Sequence, residues 1–173
     1  MTESQLIEGC KKHDSKALKL LYEQYAGRML SVCRRYVSDI ETARDLMHDG
    51  FVLVFENIAD YRGDGSFEGW LRRIFVNTVL SYLRKNDVLS NSMEIELQYD
   101  LSSKELSIIE QMEINELLGC IAQLPTGYRT VLNLYSIEGY SHREIAERLG
   151  ITEEISRSQL FRAKAMLQKM MKK

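Results

Sequence analysis

The clearest chemistry in this sequence is hydrogen bonding to nucleic acid, offered by residues near the end of the chain. The predicted helix from Thr152 to about Lys169 carries guanidinium, amide and hydroxyl groups. Groups of these types read base edges in the major groove and hold phosphates. The residues that we predict to lie on the exposed face of this helix and to bind DNA are Arg157, Ser158, Gln159, Phe161, Arg162 and Lys164.

The residues before this helix have the local signals of a helix-turn-helix. Ser141 and Glu144 form a capping box, which starts a first helix by satisfying its free amides. Gly150 can take the left-handed conformation that ends the first helix, and Thr152 can cap the second. A capped helical hairpin with a solvated charged face is the competing interpretation. The small Ala146 at the helix contact, the glycine turn and the basic second helix together favour DNA binding.

A second cluster, formed by Asp45, His48 and Asp49, combines side chains that can chelate a metal ion. Such a site would favour a metal-dependent nuclease. All three residues belong to one predicted helix, however, and no second set of ligands can be identified elsewhere in the sequence. We therefore predict no metal site, no catalytic residues and no cofactor.

The composition indicates a soluble, helical protein. The chain has 173 residues, of which 45% are hydrophobic and 28% charged, with a single proline. No stretch approaches the roughly 18 consecutive apolar residues of a membrane span, so we expect no membrane insertion. No secretory signal is visible. The chain has three cysteines, Cys10, Cys33 and Cys120, and their spacing does not fit a metal site. We interpret them as reduced thiols of a cytoplasmic protein.

Charge is distributed unevenly around a formal net charge of −2. Residues 87–120 carry one basic and eight acidic groups, whereas residues 121–173 carry nine basic and five acidic groups. A negative total is unfavourable for a protein that must hold DNA by itself, because contacts with phosphates dominate affinity. The distribution predicts three functional pieces along the chain.

Apolar residues recur at helical steps through most of the chain, which predicts an all-α fold. Front helices are predicted to start near residues 2, 15, 39 and 66. Residues 86–104 lose this period, which predicts a flexible linker. Further helices are predicted over residues 106–123 and 125–137, before the helix-turn-helix.

The run from Tyr61 to Asn77 is the most specific motif: Tyr-Arg-Gly-Asp-Gly-Ser-Phe-Glu-Gly-Trp-Leu-Arg-Arg-Ile-Phe-Val-Asn. An aromatic-Arg-Gly-acid turn, followed by Phe, Trp-Leu, Arg-Ile and Asn at this spacing, resembles the extracytoplasmic-function sigma factors. These are the smallest class of bacterial transcription initiation factors. The resemblance covers nearly the whole chain and implies two small helical domains joined by a flexible acidic linker. These are a sigma-two helical bundle over residues 1–86, a linker over 87–105 and a sigma-four domain with the helix-turn-helix over 106–173.

The resemblance implies a protein that binds the RNA polymerase core and directs initiation without being an enzyme itself. The sigma-four helix would read the −35 element, and the sigma-two domain would open the −10 element. The surface that meets a coiled coil of the largest polymerase subunit would be formed by Asp45, His48, Asp49 and Phe51.

The residues that the resemblance implies for contact with the −10 element are Tyr61, Arg62, Gly63, Asp64, Phe67, Arg72, Arg73 and Asn77. The aromatic rings of Tyr61 and Phe67 offer stacking faces to an extruded base, and Asn77 offers a base-reading amide. Arg84 and Lys85 are suited to follow the phosphates. Trp70 and Ile74 are interpreted as core residues.

Two features of the chain qualify the implied mechanism. The family commonly has glycine where Glu154 stands, and a carboxylate there would repel a nearby phosphate, so we expect either an altered promoter preference or weaker binding. The acidic linker has two equally favoured interpretations, a mimic of nucleic acid in a basic polymerase channel or a solvated tether. The resemblance also implies an anti-sigma factor as a partner, which in this family can be membrane-bound.

Two alternatives from other classes remain open at this point. The first is a stand-alone helix-turn-helix regulator, which would bind duplex DNA without polymerase. The second is the metal-dependent nuclease based on Asp45, His48 and Asp49, which would cleave DNA in the presence of magnesium or manganese. The negative net charge and the acidic helix favour the sigma factor over the regulator.

Overall fold

The computed structural model describes residues 1–85 and 114–171. All regular structure in these two ranges is helical, which confirms the predicted all-α class. The chain divides into two compact units, Met1–Ser81 and Tyr82–Lys173. The predicted linker, residues 87–105, lies outside the described residues, as does the predicted start of a helix at Leu106. Among the described helices, none is long and apolar enough to cross a membrane.

The first unit is built from helices with strong amino-terminal caps. Thr2 and Gln5 form the predicted capping box, with hydrogen bonds of 3.2 Å and 3.0 Å between each side chain and the other residue's amide. Asp39 Oδ2 accepts from the amide of Thr42 at 3.1 Å, and Ser66 Oγ accepts from the amide of Gly69 at 2.9 Å. The helices are α1 (Glu3–Lys11), α2 (Ser15–Arg34), α3 (Ile40–Asn57) and α4 (Phe67–Lys85), with a 3₁₀ turn (Ile58–Asp60) after α3.

Aromatic packing between α3 and α4 lies at the centre of the first unit. The rings of Phe51 and Phe75 meet edge to face with centroids 5.0 Å apart, a favourable geometry for aromatic pairs. The Phe75 ring also lies against Gly50, where an added Cβ would come within 2.3 Å of a ring carbon. Glycine at position 50 therefore permits the close approach of Phe75.

The second unit contains α5 (Ile114–Ala122), α6 (Thr126–Leu132), a π-helical turn (Asn133–Ile137), α7 (His142–Leu149) and α8 (Glu153–Met171). The predicted helix over residues 125–137 is therefore α6 continued by the π-helical turn. Arg129 of α6 is 5% exposed. Its guanidinium donates to the carbonyl oxygen of Ala122 at 2.8 Å, which ties α6 to the end of α5.

The turn between α7 and α8 follows the sequence prediction closely. Ser141 and Glu144 form the capping box of α7, with hydrogen bonds of 3.1 Å and 3.2 Å. Gly150 ends α7 with a φ of 71°, the left-handed conformation. Thr152 Oγ1 accepts from the amide of Ile155 at 3.1 Å and so caps α8. The helix-turn-helix predicted from these residues is confirmed.

His142 connects three elements of the second unit. Its Nδ1 lies 2.8 Å from Oγ of Ser156, a fully buried residue of α8. Its ring stacks on Tyr135 of the π-helical turn, with centroids 4.4 Å apart. Burial and the positive charge of Arg157 hold the pKa of His142 below its ordinary value of 6.5. The neutral imidazole is therefore the form that the folded protein prefers.

The Gly50 contact predicts opposite effects for two glycine substitutions. Gly50→Ala should lower the free energy of unfolding by about 1–3 kcal/mol, because the new methyl group overlaps the buried Phe75 ring. Gly27 lies in α2 with nothing within 4 Å of an added Cβ. Gly27→Ala should instead raise stability by up to about 1 kcal/mol through helix propensity. Urea unfolding monitored by circular dichroism measures both; equal effects would contradict the packing that we describe.

The environment of His142 predicts a loss of stability in acid. Because the folded pKa lies below the unfolded value of 6.5, the unfolded chain takes up the proton first. Stability should therefore fall as the pH drops through 6.5, while above that region His142 adds no pH dependence. Urea unfolding at pH 7.5 and pH 5.5 (about one unit on either side) measures the fall. His142→Gln should reduce the difference between the two pH values; an unchanged difference would assign the acid sensitivity to other groups.

Candidate functional site

The outer side of α3 presents the predicted polymerase-binding residues, with an exception. Asp45, His48 and Asp49 are exposed on α3, and His48 Nε2 lies 3.3 Å from the hydroxyl of Tyr22 on α2. Phe51 is 2% exposed and its ring lies 4.9 Å from that of Tyr22. Phe51 therefore does not lie on the outer side of α3, because its ring fills the space between helices of the first unit, and its contact with polymerase stays a prediction.

Two apolar side chains that sequence reasoning missed lie beside the exposed acids. Val52 is 55% exposed and Leu53 is 39% exposed. Val52 follows Asp49 by three positions and His48 by four, so the three residues are neighbours on the helix surface. The sequence signal for Val52 was its spacing of three residues from Asp49, which places it on the same side of α3 as an exposed acid. We call Asp45, His48, Asp49 and Val52 the α3 face.

The residues that the structure describes contain no group of three or more His, Cys, Asp or Glu side chains able to hold a metal ion. The α3 face therefore lends no support to the nuclease hypothesis. Burial raises the pKa of the Cys33 thiol to about 12 and also raises the pKa of the Cys10 thiol. Both thiols stay protonated at neutral pH and are poor nucleophiles or ligands.

The loop over residues 61–65 has its aromatic residues inside and its polar residues outside. Tyr61 is 8% exposed and Phe67 is 1% exposed, with ring centroids 5.3 Å apart. Both rings are packed within the first unit and leave no exposed stacking face in this structure, so the contact of these residues with DNA stays a prediction. Three consecutive residues in the middle of the loop are exposed, and we call them the loop tip: Arg62, Gly63 and Asp64.

Backbone geometry shapes this loop. Gly63 and Gly65 have φ values of 84° and 80°, which side-chain-bearing residues rarely adopt. The Tyr61 hydroxyl donates to the Gly65 carbonyl at 3.2 Å and so joins the two ends of the loop. The loop tip therefore projects from an anchored base.

The outer side of α4 carries the remaining candidates for the −10 element. Arg73 and Asn77 are exposed and lie one helical turn apart, and Arg84 continues the same side of the helix. Arg72 is half-buried. We call Arg73, Asn77 and Arg84 the α4 row. Trp70 and Ile74, which we predicted as core, are half-buried rather than fully enclosed.

The first turns of α8 present most of the predicted −35 residues. The side chain of Arg157 is 57% exposed and pairs with Glu153 at 3.6 Å. Phe161 is 37% exposed. The predicted residues that are half-buried are Ser158, Arg162 and Lys164.

Gln159 does not lie on the exposed face of α8. It is 1% exposed, and it shares the inner side of the helix with the buried residues Ser156 and Ala163. The prediction failed because a polar residue type was given more weight than its helical position. Glu154 is exposed in the first turn of α8, where the helix dipole favours a carboxylate.

Two family models match this chain and cover both candidate regions. Sigma-70 region 2 matches residues 21–88, which include the α3 face, the loop tip and the α4 row. Sigma-70 region 4 matches residues 114–167, which include α7 and the first turns of α8. The two matches fall in the predicted order along the chain.

Curated relatives extend along nearly the whole chain. An ECF RNA polymerase sigma-E factor of Haemophilus influenzae is 30% identical over 97% of this chain and 94% of that protein. The RNA polymerase sigma-H factor of Pseudomonas aeruginosa is 28% identical over 96% and 92%. The ECF RNA polymerase sigma-E factor of Escherichia coli strain K12 is 29% identical over 95% and 91%.

A solved structure, CnrH in complex with the cytosolic domain of CnrY, aligns with 96% of this chain and 95% of that one. Its TM-score of 0.48 and identity of 21% are low, and it adds nothing to the relationships above. The matched regions and the full-length relatives agree with each other and with the helix-turn-helix. This chain therefore belongs to the ECF sigma factors, non-enzymatic initiation factors that direct transcription by RNA polymerase.

Proposed function

We propose that this sigma factor recognises promoters with two elements. The second unit inserts the amino-terminal turns of α8 into the major groove of the −35 element. The first unit captures single-stranded DNA of the −10 element through the loop tip and the α4 row. The observation that carries this proposal is the exposure of base-reading and phosphate-binding side chains in both matched regions, Arg73 and Asn77 in one and Arg157 in the other.

Strand opening in this proposal is driven by binding energy alone. Extruding a base costs a few kcal/mol, which contacts with the released base must offset. Because Tyr61 and Phe67 are buried, these contacts come from the loop tip, its backbone amides and the Asn77 amide rather than from those two rings. Arg73 and Arg84 are placed to hold the phosphates of the same strand.

The α3 face is proposed to bind the coiled coil of the largest polymerase subunit. It combines two carboxylates with the exposed Val52. A charged rim around an apolar contact is the usual composition of a specific protein interface. In this proposal polymerase makes further contacts with the promoter. A chain with a net charge of −2 therefore need not hold promoter DNA by itself.

Family membership leads us to expect a cytoplasmic protein that an anti-sigma factor keeps inactive, with that partner either soluble or membrane-bound. No residue of this chain identifies such a partner. The acidic residues 87–105 keep both interpretations, a mimic of nucleic acid or a solvated tether.

In vitro transcription tests the function as a whole. Core polymerase, the purified chain and a pool of promoter fragments should yield defined transcripts that are absent without the chain. A stand-alone regulator would instead bind duplex DNA without polymerase and support no initiation. A folded chain that supports no transcript from any fragment would contradict the proposal.

Arg162 on α8 is predicted to be required for the −35 element. Arg162→Ala should abolish initiation that depends on this element, because Arg162, a half-buried residue two turns into α8, supplies one of the proposed contacts with it. Binding to core polymerase, measured by fluorescence anisotropy of the labelled chain, should not change. Arg34→Ala removes the same charge from the exposed end of α2 and is the matched control. Loss of core binding with Arg162→Ala would overturn the division of labour between the units.

Asp49 on the α3 face is predicted to govern the affinity for core polymerase. Asp49→Lys reverses an exposed charge at the proposed interface and should weaken binding at least about tenfold, as expected for a like charge placed against the partner. Glu8→Lys makes the same change on the exposed side of α1 and should have little effect. Competition with a reference sigma factor for core polymerase measures both. Equal loss with the two variants would indicate a nonspecific effect of charge.

A further inference from the structure

Lys11, the last residue of α1, contacts the loop that follows α3. Its Nζ donates a hydrogen bond of 2.9 Å to the carbonyl oxygen of Tyr61, a residue 50 positions later. Lys11 is half-buried, whereas its neighbour Lys12 is exposed. A lysine ammonium is strongly hydrated and normally remains in water. This ammonium is instead directed at a single backbone acceptor.

Tyr61 is the residue at which the loop begins, and it is held from several directions. Its amide donates to the carbonyl of Ile58 at 3.1 Å, and its hydroxyl donates to the carbonyl of Gly65 at 3.2 Å. Its ring lies 5.3 Å from that of Trp70. These contacts all come from residues close to Tyr61 in the chain. The bond from Lys11 is different, because it fixes the loop's base to a distant helix.

We propose that Lys11 is a positioning residue for the loop tip, and that α1 thereby prepares the loop for single-stranded DNA. The inference rests on the function proposed above for the loop tip. Lys11 itself does not touch DNA in this proposal. A loop already held in its binding conformation loses less conformational freedom when DNA binds, so affinity rises without a new contact. A hydrogen bond from a charged donor is roughly twice as strong as a neutral one, which suits it to this task.

The loop has a specific need for such an external tie. Gly63 and Gly65 give it the conformation that it requires, but glycine also gives the unbound chain more conformations to lose. The side chains of the loop tip are exposed. Contacts at the base of the loop must therefore restrict its movement, and Lys11 supplies one that does not depend on the loop's own residues.

The decisive comparison is between Lys11→Met and Lys12→Met. Both remove one ammonium near the end of α1 and keep a long side chain, but only Lys11 bonds to the loop. The full-length chain is assembled with core polymerase, and its affinity is measured for a labelled single-stranded oligonucleotide carrying the −10 element of a promoter that the wild type transcribes. Lys11→Met should weaken binding about tenfold, the loss expected for a charged hydrogen bond. Lys12→Met should bind with the wild-type affinity, and Lys11→Arg should keep most of that affinity.

Two further measurements separate positioning from other roles. If Lys11 contacted a phosphate directly, Lys11→Met would reduce the slope of log affinity against log salt concentration by about one. If Lys11 only positions the loop, that slope should not change. A purely structural role would also weaken binding to core polymerase and to duplex DNA with only a −35 element, because it would affect the whole chain. With Lys11→Met we expect both of these affinities to stay unchanged, and the melting temperature of the free chain to fall only as far as the loss of one hydrogen bond requires. The fluorescence of Trp70, the single tryptophan, should change, because its ring packs on Tyr61, to which Lys11 bonds.

Each remaining outcome counts against the proposal in a distinct way. Equal affinities for Lys11→Met and Lys12→Met would overturn it, and so would a reduced salt dependence or a loss that follows the melting temperature. Failure of the wild-type holoenzyme to bind the single strand would instead overturn the role proposed for the loop tip itself. The wild-type measurement therefore distinguishes failure of the inference from failure of the function on which it rests.

Discussion

Contact between the Phe75 ring and the backbone at Gly50 fixes how α4 meets α3, and the functional surfaces of the first unit depend on it. A helix that buries one side has its other side determined by the 3.6-residue period. Seating Phe75 and Phe51 inside therefore leaves the α3 face and the α4 row outside. The same core explains why these helices can carry exposed charges, since burial of aliphatic and aromatic side chains on their inner sides stabilises the unit.

In the second unit, buried polar contacts help to fix how the helices pack. Its buried residues include Arg129 and Ser156, whose side chains make hydrogen bonds inside the unit. Buried polar groups are costly unless they are hydrogen-bonded, but their bonds are directional and so define one arrangement. The His142–Ser156 contact is an instance, because it joins α7 to α8 one residue before Arg157. The orientation of α8, the helix proposed to read the −35 element, is thereby linked to a specific internal pair.

Local signals in the sequence predicted the fold well, whereas individual site residues were harder to predict. Capping boxes at Thr2 and Ser141 depend on neighbouring residues alone, so they were readable. Exposure depends on which side of an element the rest of the fold covers, which is why four predicted binding residues are buried: Phe51, Tyr61, Phe67 and Gln159. Side-chain chemistry identified groups able to bind DNA, but not those that packing leaves accessible. Val52 was missed because its apolar side chain was given more weight than its step of three residues from the exposed Asp49.

The glycines of the loop have a consequence for how such a protein can diverge. The shape of residues 61–65 comes from Gly63, Gly65 and the anchored Tyr61, and not from the side chains at positions 62 and 64. The residues that set the shape of this loop are therefore different from the residues proposed to contact DNA. If the loop tip contacts the −10 element as proposed, exchanges of the exposed Arg62 or Asp64 would change its contacts with DNA while the loop keeps its form. On that proposal, related chains could differ in promoter preference through surface substitutions that leave the fold of the loop unchanged.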